Sequence, residues 1–331
     1  MGAFVVRRLG AMVLVLLALT AALFVLQKVS PVDPVRLAVG PNATKAVVNA
    51  ARRRLGYDDP IYVQYVHYVG HAISGNLGTS LRTGDAVTTD IGTFLPASIE
   101  LMLAALVIAT PLALLFGVAS AGRWRGAAIL RLGTITFASA PTFVLAVLLV
   151  LLFYKRLGWL PPGGRSNYAD APTGPTGLLT LDGLLHGRPS VTVDALSHLV
   201  LPALSLALLP AMAVGRVLRG ALITNLRADH VRSARSRGLS ETRLVVRHCL
   251  RNSAGATLAM SGLMIGVMFA GLVVVETVFG WPGIGAYLEQ SIPRSDFPAI
   301  TGVTLLLGAM YVVMNTLIDI LQAAADPRIR V

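Results

Sequence analysis

Along this chain, runs of about 20 apolar residues recur, each long enough for a helix to cross the ~30 Å hydrocarbon core of a bilayer. They are Leu9–Val29, Ala97–Ala121, Leu132–Tyr154, Leu199–Leu218, Ala256–Phe279 and Ala299–Ala323. Hydrophobic residues make up 55% of the chain and charged residues only 13%, against ~25% charged in an ordinary soluble domain. The expected fold is an all-α polytopic membrane protein with six transmembrane helices.

The first run is longer than the ~7–15 residues of a signal-peptide core, and no small-residue cleavage site follows it, so it reads as an uncleaved anchor. Lys and Arg then orient the chain. With the N-terminus cytoplasmic, the inner segments carry Arg7, Arg8, Arg123, Arg125, Arg131, the cluster from Arg216 to Arg251, Arg328 and Arg330. Arg52, Arg53 and Arg54 fall in the middle of a long outer segment, where charge has little effect on topology. Both termini are therefore expected in the cytoplasm. The net charge of +12 follows from this asymmetry, and no aromatic-interleaved basic face suggests nucleic acid. A single Cys249 on the inner side excludes a disulfide framework and reads as an inert, buried or partly buried thiol.

Three regions follow: 1–29, the N-terminus and first span; 30–96, a small helical extracytoplasmic subdomain; and 97–331, a core of five spans with a cytoplasmic loop at 220–255. In the subdomain, Thr44–Leu55 reads as a helix closed by Gly56, and Asp59-Pro60 supplies an N-cap and first-turn proline for a second helix ending before Gly75. Tyr57, Tyr62, Tyr65 and Tyr68 suit that second helix either to the headgroup layer or to an external protein. His67 and His71 stand at i, i+4, with His186 and His198 also outside, but no Cys or helical carboxylate completes a ligand set, so no metal site is expected. The second outer segment, Lys155–Ser197, carries Gly and Pro turns at Pro161-Pro162-Gly163-Gly164 and Pro172–Pro175.

A carrier driven by an ion gradient needs ionisable groups at mid-depth, where each costs ~2.5–3.5 kcal/mol to insert. Here Glu100 reads as first-turn, Glu276 as near the outer end of the fifth span and Asp319 as near the inner end of the sixth. Pro111, Pro141, Pro202 and Pro210 are expected to kink their spans. Energy must come from elsewhere, yet Gly117 and Gly122 are followed by Arg123-Trp124 where a phosphate-binding loop needs Lys and Ser/Thr, and no HExxH or GxSxG is present. The chain is expected to be non-catalytic. Gly262 and Gly266, flanked by Ala259 and Ala270, form a small-residue row for close helix packing, within the chain or between subunits. Met260, Met264 and Met268 recur on another face, suited to a pathway or to ordinary packing.

Between two apolar spans lies the basic segment DHVRSARSRGLSETRLVVRHCLR, Asp229 to Arg251. Asp229 is placed to cap a short helix running to Arg237, Gly238 to close it in a left-handed conformation, and Ser240 with Glu241 to start another. The result is an elbow with Ala234 and the Gly238-Leu239 corner at its tip, ringed by arginines able to pair with a partner's carboxylates. A topogenic, lipid-contacting loop is the plainer reading from composition.

Arg232-Ser233-Ala234-Arg235-Ser236-Arg237-Gly238-Leu239 resembles the EAA loop of the permeases of ATP-binding-cassette importers for dipeptides, oligopeptides and nickel, the "B"-type subunit of the peptide branch. Ala234 and Gly238 stand at the matching positions, and Arg232 replaces the family's usual Glu. The likeness continues through Arg7-Arg8-Leu9, Leu55-Gly56, Asp59-Pro60, Gln64-Tyr65, Asn76-Leu77-Gly78-Thr79-Ser80, Leu95-Pro96-Ala97, Glu100-Leu101, Leu157-Gly158-Trp159-Leu160-Pro161, His198 to Ala203, Phe279 to Gly285 and Asp326-Pro327-Arg328.

The resemblance implies a type I importer fold in a bacterial inner (plasma) membrane, paired with a second, homologous permease. Two cytoplasmic ATPases, which hold ATP and Mg, would dock on the elbows through Arg232, Ser233, Ala234, Arg235, Arg237, Gly238, Leu239 and Ser240. An external solute-binding protein would deliver a short peptide, carried inward by alternating access. The expected pathway residues are Met260, Met264, Glu276 and Asn315. The alternatives are a nickel or metal-chelate importer of the same family, a self-sufficient secondary carrier, and a membrane anchor or sensor without transport.

Overall fold

The computed structural model describes residues 2–29, 35, 39–40, 43–54, 56–122, 124, 126–172 and 174–325. Expectations resting on Leu55, Arg123, Arg125, Arg328, Arg330 and the Asp326-Pro327-Arg328 motif lie outside these. The outer segment holds α2 (Lys45–Arg54) and α3 (Ile61–Ile73), after the long α1 (Gly2–Val29). Then come α4 (Val87–Ala121), α5 (Ala127–Ser139) and α6 (Thr142–Leu149), the last continued by a π-helical stretch, Val150–Arg156. Next, α7 (Leu179–Leu185) precedes α8 (Pro189–Leu226), and α9 (Asp229–Ser236) precedes α10 (Glu241–Leu244). A π-helical turn, Val245–Cys249, joins α10 to α11 (Leu250–Phe279), and α12 (Ile284–Ser291) and α13 (Phe297–Ala325) close the order.

Among the described residues, five helical stretches are long and apolar enough to cross a membrane: Val6–Val29, Val87–Ala121, Pro189–Leu226, Glu241–Phe279 and Phe297–Ala324. The remaining expected span, Leu132–Tyr154, is not one helix. Ala127–Ser139 and Thr142–Arg156 meet at 112°, so Pro141 breaks the helix where a kink was expected. Proline has no N–H to give and pushes the residue before it out of the helical region. Ala140 accordingly sits at ψ 130° and Pro141 at ψ 143°, and α6 starts afresh.

The other helices outrun their apolar cores. α4 begins at Val87 rather than Ala97, so the boundary drawn at 96/97 falls inside a helix and Glu100 lies several turns from its start. Hydropathy reports the stretch matched to lipid, whereas the helix continues for as long as neighbouring protein satisfies its side chains. In the outer segment, Pro60 rather than Asp59 occupies the N-cap of α3, and Asp59 instead accepts a bond from Gln64 Nε2 through its carbonyl.

α8 is the centre of the bundle, packing against α4, α5, α6, α7 and α11. Its closest neighbour is α4, and the sequence shows why. Ala97, Leu101, Ala105, Ala109, Ala113 and Gly117 recur every fourth residue on α4, as do Leu199, Ala203, Ala207, Ala211 and Gly215 on α8, and all are buried. Stripes of small residues let two backbones approach, which is how helices associate where lipid removes the hydrophobic drive. A Cβ on Gly215 would lie 3.0 Å from the Ala113 carbonyl oxygen, and one on Gly117 would lie 2.7 Å from Leu218.

The Gly262/Gly266 row does serve packing within the chain: Gly262 faces Asn315 and Ile318, and Gly266 faces Tyr311, all on α13. α1 lies along α13, where Arg8 pairs with Asp319 at 2.7 Å. The start of α1 and the end of α13 therefore share one membrane face. α3 lies on α1 rather than standing apart, with Tyr65 Oη donating to the Leu17 carbonyl at 3.0 Å and Phe24 in edge contact with the Tyr65 ring.

Candidate functional site

The basic segment folds into the expected elbow, with changes of detail. Ala228, not Asp229, is the N-cap of α9, and Asp229 sits in the first turn beside the positive end of the helix. At the other end, Gly238 has φ +82°. Its N–H donates to the Arg235 carbonyl at 3.0 Å and the Leu239 N–H to the Ala234 carbonyl at 3.4 Å. This 5→2 and 6→1 pair is a Schellman closure, with Leu239 and Ala234 as its apolar contact.

Ala234 and Leu239 point inward, not outward as the tip of the elbow. They pack on a buried cluster of Leu218, Leu222, Val231, Leu244 and Cys249, so the elbow is anchored to the end of α8 and the start of α11. Arg235, though exposed, is committed within the chain: Nε meets Glu241 Oε1 at 2.5 Å and Nη2 meets Oε2 at 3.1 Å. That bidentate fork clamps α9 to α10. Arg232, Ser233, Arg237, Gly238 and Ser240 remain exposed.

At the opposite end of the bundle, Glu276 is fully buried. Its Oε2 accepts the Gly285 N–H at 2.7 Å and the Ala286 N–H at 2.9 Å, while Oε1 accepts the Ser98 hydroxyl at 2.5 Å. Ser98 Oγ in turn accepts the Ile284 N–H at 2.7 Å. The orphan donors at the start of α12 are thus satisfied by α11 and α4. Gly283 is required here because a Cβ would collide with the Glu276 carboxylate. Trp281, also buried, donates Nε1 to the Ala97 carbonyl at 2.9 Å. Glu276, expected on a pathway, sits in a closed bonding arrangement.

Glu100 is likewise held inside the protein. It is buried and paired with Arg165 of the second outer segment at 2.5 Å, and its Oε1 accepts the Thr180 N–H and hydroxyl at 2.8 and 2.6 Å. Gly164 N–H donates to the Phe279 carbonyl at 2.8 Å, and Asp194 accepts from Ser166 and from the Asn167 backbone at 2.6 and 2.8 Å. The Gly/Pro-rich segment is a strap stitched over the ends of α4, α8 and α11 that lie away from the elbow. Beside it, Tyr287 donates to Asp90 Oδ2 at 2.7 Å. Burial, and then the Asp90 carboxylate, pushes its ionisation above the ordinary phenol range, so the hydroxyl keeps its proton.

Between the two ends, α4, α8 and α11, with Ile318 of α13, line a half-open cavity of about 390 Å³. Its wall is apolar apart from the hydroxyls of Thr110, Thr257 and Ser261 and includes Met264 and Met268. Of the four expected pathway residues, only Met264 lines it. Met260 packs at the edge of the core, Asn315 is half-buried against Gly262, and Glu276 belongs to the outer cap. The small-residue stripes of α4 and α8, which contribute Ala109, Ala113 and Ala211 to the wall, are visible in the sequence as repeats of four.

Residues 109–331 match the family model described as binding-protein-dependent transport system inner membrane component, and residues 1–102 match its N-terminal companion. Three bacterial relatives illustrate the likeness. The probable D,D-dipeptide transport system permease protein of Escherichia coli K12 is 39% identical, covering 98% of this chain and 96% of its own. The di/tripeptide transport system permease protein of Pseudomonas aeruginosa UCBPP-PA14 is 39% identical over 99% of this chain and 98% of its own. The glutathione transport system permease protein of Salmonella typhimurium LT2 is 33% identical over 99% and 98%. With apolar helices throughout and matches that reach from end to end, this chain belongs to the inner membrane components of binding-protein-dependent transport systems, with the type I permease fold.

Proposed function

We propose that this chain is one of two homologous permease subunits of an ATP-driven importer that moves short peptides into a bacterial cytoplasm. The observation that carries the reading is the elbow: a self-closed turn with exposed arginines, anchored through buried leucines to two spans, is a lever that an external motor can push. Two ATPases holding ATP and Mg dock on this elbow and its counterpart, and a solute-binding protein delivers peptide at the strap. Both chain ends and the elbow face the cytoplasm, in keeping with Arg7, Arg8, Arg131 and the cluster from Arg216 to Arg251. Peptide is favoured over nickel because the three relatives named above are permeases for a D,D-dipeptide, di- and tripeptides, and glutathione, itself a tripeptide. Alternating access follows when ATP closes the ATPase pair and the elbow carries α8 and α11 with it.

The test is reconstitution in proteoliposomes with and without the second permease, the ATPases and the binding protein. Uptake of labelled dipeptide that requires every component and ATP is the expected result, and ATP-independent flux by this chain alone overturns it. Within that assay Gly238 is diagnostic. A Cβ there meets nothing within 4 Å, so substitution costs only the left-handed backbone, about 1–2 kcal/mol for an ordinary L-residue. Gly238→Asn, which tolerates that conformation, should retain uptake. Gly238→Val should lose most of it while the protein still inserts and purifies.

A further inference from the structure

We infer that α3 lies in the plane of the membrane, with an apolar stripe of Tyr62, Val66, Val69 and Ile73 sunk among the acyl chains of the leaflet away from the elbow. Such a seat needs only that the chain spans a membrane, so it stands apart from the importer reading.

Two neighbours fix the depth of α3. On α1, Tyr65 and Tyr68 both meet the Phe24 ring, at centroid distances of 5.5 and 5.7 Å. Phe24 stands five residues before the end of α1 at Val29, about 7.5 Å along the helix axis. On α13, the Tyr68 hydroxyl approaches Thr301, four residues past the start at Phe297, or about 6 Å along the axis. Both α1 and α13 carry stretches long and apolar enough to cross a bilayer. In-plane amphipathic helices bury their apolar face ~5–10 Å into the boundary between headgroups and acyl chains, which is the depth these contacts give. Lys28, in the last turn of α1, marks the level above: its ammonium bonds Gln64 Oε1 and lies 4.8 Å over the Tyr57 ring. A cation among aromatic rings suits the headgroup layer.

α3 also sorts its residues into three sides. At 3.6 residues per turn, Tyr62, Val66, Val69 and Ile73 share one side, and Tyr62, Val66 and Ile73 are 70, 67 and 83% exposed. Tyr65 and Tyr68, turned to α1, lie about 100° round from that stripe, and the exposed His67 and His71 roughly 150° round in the other direction. Contact with α1 is therefore sideways, between an apolar side and a polar one. With the histidines toward water, the stripe points into the bilayer. A soluble partner approaching from the water would meet His67 and His71 and not Val66, which decides for lipid over protein. Beyond Ile73 the chain runs straight to the start of α13, where Gly78 lies against Pro298 and Ser80 donates to Asp296 Oδ2 at 2.6 Å. A helix seated in lipid thus ties that end of the bundle to the membrane surface.

The experiment takes the full chain in proteoliposomes and compares Val66→Cys with His71→Cys, both at exposed positions. The native Cys249 is buried, and the wild type gives its background. Thiolate is the reacting species and apolar surroundings raise the thiol pKa, so a water-soluble maleimide should modify position 66 at least about tenfold more slowly than position 71, the effect of one pKa unit. Both positions lie on one short helix, so orientation in the vesicle cancels. Bimane attached in detergent before reconstitution then reports what covers each position: phospholipid with nitroxide-bearing acyl chains should quench it at 66 and leave it bright at 71. Equal maleimide rates put the stripe in water and overturn the seat. Slow modification at 66 without quenching by the labelled lipid means that protein covers the stripe, a second copy or an external partner, and equally overturns the assignment to lipid.

Discussion

Glu276→Ala should be among the most damaging single substitutions at the end of the bundle away from the elbow. It strands the Gly285 and Ala286 N–H groups and frees the Ser98 hydroxyl, all of them buried. At ~1–3 kcal/mol for each stranded donor, the loss is about 3 kcal/mol or more. Glu276→Gln keeps an acceptor oxygen for the two N–H groups and turns its amide toward Ser98, so it should lose much less. Thermal unfolding in detergent ranks the variants, and equal behaviour of Ala and Gln would show that the capping of α12 is not what Glu276 supplies. The expected phenotype is loss of folded protein, with α12 detaching from α11, rather than a change in peptide preference.

The second large effect is expected at the pair that ties the strap to α4. Arg165→Met leaves the Glu100 carboxylate buried without its cation, and breaking a buried pair from one side costs ~3–5 kcal/mol. Glu100→Gln combined with Arg165→Met should recover most of that. The glutamine oxygen still accepts from Thr180, and a neutral amide no longer needs the cation that Arg165 supplied. A double variant as unstable as Arg165→Met alone would mean that Arg165 acts by packing on Trp281, whose ring lies 5.5 Å from its guanidinium, and not by charge.

These two sites mark where linear reading loses its grip. From the sequence Glu100 and Glu276 read as lying near the ends of their spans, whereas the structure buries both against partners far along the chain. Arg165 is 65 residues from Glu100, and Ser98 is 178 from Glu276. Nothing local distinguishes a buried, satisfied carboxylate from one at the interface. The elbow was legible because its determinants are local: Gly238 for the left-handed turn, Ser240-Glu241 for the next helix, all within a few residues. What was not legible is that Arg235 spends its charge on Glu241 and that Ala234 and Leu239 face inward.

The class, the approximate spans and the presence of the elbow follow from the residues alone, because lipid imposes a length and a polarity on each crossing helix and a glycine at positive φ closes the helix before it. Tertiary structure alone decided that Pro141 turns one expected span through 112°, that the Gly/Pro-rich segment is a strap, and that Met264 but not Glu276 or Asn315 lines the cavity. Which face of a helix meets which neighbour depends on summed close packing along whole helices. The small-residue stripes of α4 and α8 permit their approach, but only the assembled bundle leaves α11 standing off far enough to form a cavity.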